Sequence, residues 1–194
     1  MADKTFALSL TAFAQKAPEK AREVVRKVSI DLLTATVMRT PVGNPELWAV
    51  NRIAKNYNAA VAQWNAEMRN DPVNLTRAGR LKPGKKSSDS MDIIAPKGYV
   101  GGRLRANWFA SIGGYTEITT DATDAQGNST ISDGAAIIDQ ATGDGDIFIV
   151  NSLPYAVPIE YGHSGVQAPQ GMVRVTIAEF QDYVAKAANE ALNS

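Results

Sequence analysis

His163 is the only histidine in the chain, and it stands between Glu160 and Ser164, so that a carboxylate, an imidazole and a hydroxyl fall within five positions. Imidazole is the usual proton acceptor at neutral pH, and these three side-chain types are the ones a nucleophilic relay uses. The spacing argues against a relay. Such triads are assembled from separate parts of a fold, and residues this close along the chain rarely align; no Gly-x-Ser-x-Gly turn is present to expose a nucleophile. His163 therefore reads as a loop histidine, no catalytic residue is assigned, and the chain is not read as an enzyme.

Metal and phosphate chemistry fare no better. Gly143-Asp144-Gly145-Asp146 spaces two carboxylates as calcium loops do, but the further oxygen ligands and the closing glutamate are missing, so a tight turn is expected. One histidine and no cysteine supply zinc poorly. Pro83-Gly84-Lys85-Lys86-Ser87 and Gly101-Gly102-Arg103 lack the spacing of a phosphate loop and the strand and helix that would flank it. No metal and no cofactor are expected.

Basic residues are the remaining chemistry. Lys82, Lys85, Lys86 and Lys97, with Arg103 and Arg105, could meet nucleic-acid phosphates in a salt-sensitive, sequence-independent way. No interleaved aromatic stacking motif accompanies them to read bases. A nonspecific DNA-binding module over residues 77–105 is thus one reading; a solvated or subunit-contacting loop is the other.

The elements that would position these residues follow from composition and pattern. A chain of 194 residues, 44% hydrophobic and 21% charged, suits one domain with a real core. Absence of cysteine fits synthesis in a reducing cytosol, and no run is long and apolar enough to span a bilayer, so no membrane partner is expected. Net charge is zero but segregated: residues 1–42 carry +3, residues 43–105 carry +6 and residues 106–194 carry −9. Complementary fields of this kind steer association, so head-to-tail contact between copies is one use; mutual cancellation within a subunit is the other.

An amphipathic helix is expected from Pro18 to about Thr40, stopped by Pro41, with a separate short helix at 9–15 setting Leu10 and Phe13 against the core. A second helix is expected over 45–70, with Leu47, Val50, Ile53, Ala54, Tyr57, Val61, Trp64 and Met68 as its packing stripe. Residues 71–102 read as a long mobile loop. Residues 104–112, 115–120 and 146–150 read as strands of one antiparallel sheet, with a short helix at 132–141 between them. A last helix carries Val173, Ile177, Phe180, Val184, Ala188 and Leu192 on one face, able to cover the sheet. The fold class is α+β: an antiparallel sheet packed by a long N-terminal helix and a C-terminal helix, in a single domain 1–194 with a helix-and-loop insertion at about 44–100.

Three segments carry a family resemblance. They are Arg39-Thr40-Pro41-Val42-Gly43-Asn44-Pro45; then Gly102-Arg103-Leu104-Arg105-Ala106-Asn107-Trp108; then Asn151-Ser152-Leu153-Pro154-Tyr155-Ala156, running on through Ile159-Glu160-Tyr161-Gly162 to Gln167-Ala168-Pro169-Gln170-Gly171-Met172-Val173-Arg174. Their order and combination resemble the tail-completion or minor tail proteins at the neck of tailed double-stranded DNA bacteriophages. Many relatives of that family pass from Thr-Pro-Val almost directly to Gly-Arg-Leu, so the helix and lysine-rich loop of residues 46–95 are a departure.

The resemblance implies a non-enzymatic virion subunit made in the host bacterial cytoplasm and built into the head-tail junction. It implies a ring of copies, commonly a hexamer, that joins tail to head around a DNA channel, touching neighbouring connector and tail proteins and, nonspecifically, DNA. A tail terminator capping the tail tube is the alternative within that class. Arg103, Asn107, Trp108, Tyr155, Glu160, Tyr161 and Gly162 match its motifs and are expected as scaffold or interface residues, Arg103 and Glu160 as a pair across a subunit boundary. Lys82, Lys85, Lys86 and Lys97 are expected as loop contacts.

Overall fold

The computed structural model describes residues 2–143, 145–162 and 168–193, with side chains from residue 18 onward. The chain forms two compact units, Met1–Val42 with Val100–Ser194, and Gly43–Tyr99. Charge divides at the same boundaries: residues 43–99 hold nine basic and five acidic side chains, and the remainder eleven and fifteen. The architecture is mixed α+β, mostly helical with a small antiparallel sheet.

In the larger unit, helix α1 (Ala2–Arg39) is continuous, where a break before Pro18 was expected. The residues preceding Pro18 are mostly strong helix formers, and they carry the helix through a position that lacks one backbone donor. Side chains of Leu10 and Phe13 lie outside the described residues. The helix stops where expected: Thr40 turns its N–H and its hydroxyl back onto the Thr36 carbonyl, and Pro41 follows.

Helix α3 (Arg103–Ala106) is a single turn where a strand was expected, and it delivers the chain into strand β1 (Phe109–Ile112). After helix α4 (Asn128–Ile138), strand β2 (Ile147–Val150) pairs antiparallel with β1, Phe109 opposite Val150 and Ile112 opposite Ile147. Residues 115–120, strand-like by composition, take no place in the sheet; residues 112–119 are all exposed. Helix α4 starts four residues earlier than expected because Asp124, ahead of it, caps its first turn. Its carboxylate accepts the N–H of Gly127 at 2.7 Å and both the N–H and hydroxyl of Thr130 at 2.9 Å.

Short helix α5 (Ala156–Glu160) leads to α6 (Val173–Ala178) and α7 (Phe180–Asn193), which are separate because Glu179 leaves helical geometry between them. The C-terminal helix turns inward a face shifted from the expected one, with Val173, Val184 and Ala188 still partly covered. Thr176, Ala187 and Ala191 are buried while Ile177 and Leu192 are exposed, and α7 packs along α1, its small alanines allowing close approach. It is α4 that packs against β1. Leu33, Val37, Leu104, Trp108, Ile138 and Met172 centre the core, and Leu33, Val37 and Ile138 are among its most deeply buried members.

In the smaller unit, Asn44 caps a 3-10 turn (Pro45–Leu47) by accepting the N–H of Glu46 at 2.9 Å. Extended geometry at Trp48 and a second 3-10 turn (Ala49–Asn51) delay helix α2 (Arg52–Asn70), so the expected helix over 45–70 begins seven residues late. The face of α2 that packs is only in part the expected stripe, sharing Ala54, Val61 and Met68 with it. Positions 51, 54, 58, 61, 65 and 68 are the covered ones, whereas Val50, Ile53, Tyr57 and Trp64 are exposed.

Residues 71–99, expected as a mobile loop, are instead tethered to α2. After a 3-10 turn (Pro72–Asn74) and a bridge between Leu75 and Leu81, the chain returns along the helix in irregular, extended form. Three asparagines spaced seven apart hold it, each through both ends of its side-chain amide. Asn65 donates to the Ser87 carbonyl and accepts its N–H, both at 2.8 Å. Asn58 does the same to Met91 at 2.9 and 2.8 Å, and Asn51 to Ile94 at 2.7 and 2.8 Å. An asparagine amide presents one donor and one acceptor side by side, so it can stand in for the backbone of an adjacent strand.

Candidate functional site

The C-terminal end of α1 leaves carbonyl groups without partners in the helix, and such groups must be met by water or by other side chains. Here Arg105 meets them. Its guanidinium donates to the Thr40 carbonyl at 2.6 and 3.2 Å, to the Met38 carbonyl at 3.1 Å and to the Ala125 carbonyl at 2.7 Å. Burial draws the Arg105 pKa below the ordinary arginine value, against the opposing influence of the Asp124 charge. A cation also complements the negative end of the helix dipole.

Beside it, the Trp108 indole N–H donates to the Thr40 hydroxyl at 2.7 Å, and that hydroxyl donates to the Thr36 carbonyl at 2.8 Å. Asn107 is fully buried and uses all of its amide: it donates to the carbonyls of Arg103 and Thr120 at 2.7 and 3.0 Å and accepts the N–H of Thr120 at 2.7 Å. Arg103 donates to the same Thr120 carbonyl at 3.1 Å and pairs with Asp121 at 2.7 Å. Gly102 lies at φ 105°, where a Cβ would sit 2.6 Å from the Ala125 nitrogen, so only glycine fits. The Asn151 amide donates to the Leu104 carbonyl at 2.8 Å and ties the third resembling segment to the second.

Arg39, in the last turn of α1, reaches the other way. It donates to the Thr176 hydroxyl at 2.9 Å, the Tyr183 hydroxyl at 3.4 Å and the Glu179 carboxylate at 2.6 Å. The Tyr183 hydroxyl and then Arg39 hold Glu179 below the ordinary glutamate pKa.

Glu160 forms a second centre. Its carboxylate accepts the backbone N–H groups of Met172, Val173 and Arg174 at 2.6, 2.9 and 2.9 Å, and the Arg174 side chain at 3.3 Å; Arg174 also donates to the Glu160 carbonyl at 2.5 Å. Burial works to raise the Glu160 pKa, but the three backbone donors and Arg174 outweigh it and leave the carboxyl below the ordinary glutamate range. Glu160 therefore ties the end of α5 to the start of α6 and caps α6; a carboxylate so fully engaged is a poor proton acceptor.

Within this chain Arg103 pairs with Asp121 and Glu160 with Arg174. Trp108 is core, Tyr155 is partly exposed, and Tyr161 is 72% exposed with the Arg174 guanidinium 5.1 Å from its ring centre. Gly162 follows α5 and donates its N–H to the Ile159 carbonyl. His163, Ser164 and Asp144 lie outside the described residues. Among the described residues no three metal-binding side chains cluster, and no helix is long and apolar enough to cross a membrane.

The chain matches no protein-family model, no curated protein and no solved structure.

The lysines of the smaller unit are all exposed. Lys82 donates to the Val73 carbonyl at 2.8 Å, while Lys85, Lys86 and Lys97 extend from the tethered segment. Arg39 and the asparagines 51, 58 and 65 are residues that sequence reasoning passed over, and Arg105, read from sequence as a phosphate contact, spends its guanidinium on backbone carbonyls instead. The asparagine spacing was a usable signal, because seven residues are two helical turns and return to one face.

Proposed function

We propose that this chain is a structural subunit of the head-tail connector of a tailed bacteriophage, one of a ring of copies that completes the tail and docks it to the head. The observation that carries the reading is the convergence of the resembling segments. Thr40, Arg105 to Trp108 and Asn151 meet at one helix end, Glu160 binds the backbone of Met172 to Arg174, and their polar groups are spent on each other. Residues so engaged define a scaffold, which is what likeness to a non-catalytic virion family consists of.

The division of charge between the two units and the apolar side chains left exposed are the properties expected of a subunit that binds copies of itself. Placement in the virion, a hexameric ring and contact with tail and head proteins belong to the same proposal.

The test is the solution mass of the full chain by light scattering over a range of concentration and salt, with electron imaging of any large species. A closed ring is expected, formed alone or on addition of virion connector partners. A strict monomer with and without those partners, together with DNA binding that falls steeply with salt, would instead favour a nonspecific DNA-binding module using Lys85, Lys86 and Lys97.

A further inference from the structure

On α2, the covered positions 51, 54, 58, 61, 65 and 68 face the tethered segment, and a second line of residues runs parallel to them on the uncovered side. Val50, Ile53, Tyr57, Ala60 and Trp64 advance by three and four, and Val50, Ile53 and Trp64 are 61%, 69% and 52% exposed. At 1.5 Å per residue the stripe is about 21 Å long. Beside Trp64 a shallow depression of about 330 Å³ is lined by Ala60, Val61, Trp64 and Ser87. Arg52 and Lys55 lie on the same helix, and Lys85 and Lys86 directly precede Ser87; all four are exposed, and these four cations outweigh Asp89, whose carboxylate accepts the Tyr57 hydroxyl. An apolar stripe with a basic surround calls for an acidic, apolar partner.

The chain contains a segment of that chemistry. Residues 106–173 include eight acidic side chains and neither lysine nor arginine. Within that span, residues 112–119 are exposed throughout, and Tyr115 and Ile118 hold 59% and 48% of their surface in solvent beside Glu117. The composition of 115–120, β-branched and aromatic, suits an extended segment lying against another surface, yet no strand of its own sheet pairs with it.

We propose that the α2 stripe is an interface between copies of this chain, occupied by segment 112–119 of a second copy, whose one charged residue is Glu117. Tyr115 and Ile118 cover Ile53, Tyr57 and Trp64, and Glu117 meets the basic surround. Stripe and segment are different surfaces, so the contact can run head to tail from copy to copy and close as a ring, the arrangement the connector reading requires, as opposed to a reciprocal two-fold pair. One such contact is small against the roughly 800 Å² per partner of a stable interface, so pairs are weak and closure supplies the stability. The inference rests on the connector reading and names the surface through which copies join.

The absence of cysteine makes the contact directly testable. Ile53→Cys and Ile118→Cys are made in separate full-length chains, both at exposed sites, and mixed under mild oxidation. Disulfide-linked heterodimers are expected in the mixture, at least tenfold in excess of the linked homodimers formed by either variant alone. In parallel, Trp64→Ser, with an unchanged circular dichroism spectrum, is expected to raise the concentration needed for assembly at least tenfold. Homodimers of Ile53→Cys in comparable yield would replace the proposal with α2 pairing on itself. Native-like assembly of Trp64→Ser without mixed disulfides would overturn the interface while leaving the connector reading intact. Failure of the native chain to assemble under any condition, with or without connector partners, would remove both.

Discussion

The side-chain amide of Asn58 pairs with the backbone of Met91 as a neighbouring strand would, accepting its N–H at 2.8 Å and donating to its carbonyl at 2.9 Å. Asn51 and Asn65 repeat the arrangement one heptad before and after, so a helix holds an extended chain through side chains alone.

Asn51 is the most buried of the three and also donates to the Pro45 carbonyl at 2.8 Å. Asn51→Ala leaves these groups without partners and is expected to destabilise the smaller unit by about 1–3 kcal/mol. Asn58→Ala, less buried, should cost less. Hydrogen exchange is the measurement: the amide of Ile94 loses protection in the first variant and that of Met91 in the second, while β1 and β2 keep theirs.

Glu160 makes stability depend on pH. Its folded pKa lies below its unfolded value, so its contribution is fully present above about pH 4.3 and is lost as the pH falls through the folded value. Urea midpoints measured from pH 7 down to pH 3 should fall steeply in the native protein. Glu160→Gln should lower the midpoint at pH 7 and flatten the acid limb; an unchanged limb would show that Glu160 is not responsible.

Arg105→Lys keeps the charge and loses the fork. An ammonium cannot reach the carbonyls of Met38, Thr40 and Ala125 together, so about 1–3 kcal/mol is expected to be lost, a fall in Tm of roughly 2–4 °C for each kcal/mol at this chain length. Thermal unfolding checks it.

Gly102→Ala places a methyl group against the Ala125 backbone at a φ that alanine avoids, and neither obstacle is a flexible side chain. A loss of about 2 kcal/mol or more is expected by chemical denaturation. Gly84, also at positive φ but with open space around it, is the control: Gly84→Ala meets no atom within 4 Å and should cost less.

Much of the fold was legible where local chemistry decides. The stop at Thr40 follows from Pro41, the strand at 147–150 from its β-branched residues, and the α+β class from the mixture of patterns. The resembling segments were legible as strings, but not what they do. The carbonyls awaiting Arg105 lie 65 and 67 positions away, and the N–H groups awaiting Glu160 lie 12 to 14 positions further along.

Helical faces were misread for a reason visible in particular residues. On α2, hydrophobicity pointed to Ala54, Val61 and Met68, which are covered, and also to Ile53, Tyr57 and Trp64, in whose place Asn51, Asn58 and Asn65 complete the covered line, because an extended chain offers hydrogen-bonding groups as well as surface. On α7, Ala187 and Ala191 are buried in place of Leu192, since a close approach to α1 favours the smallest side chains, and on α6 Thr176 is buried in place of Ile177. Residues 115–120 have strand composition without a strand partner. By itself the sequence determined where helices stop, which segments are strand-like, how charge is divided and which residue types are present. Tertiary structure alone decided which faces are covered and what each polar side chain satisfies, because burial and hydrogen bonding depend on groups that folding brings together from distant parts of the chain.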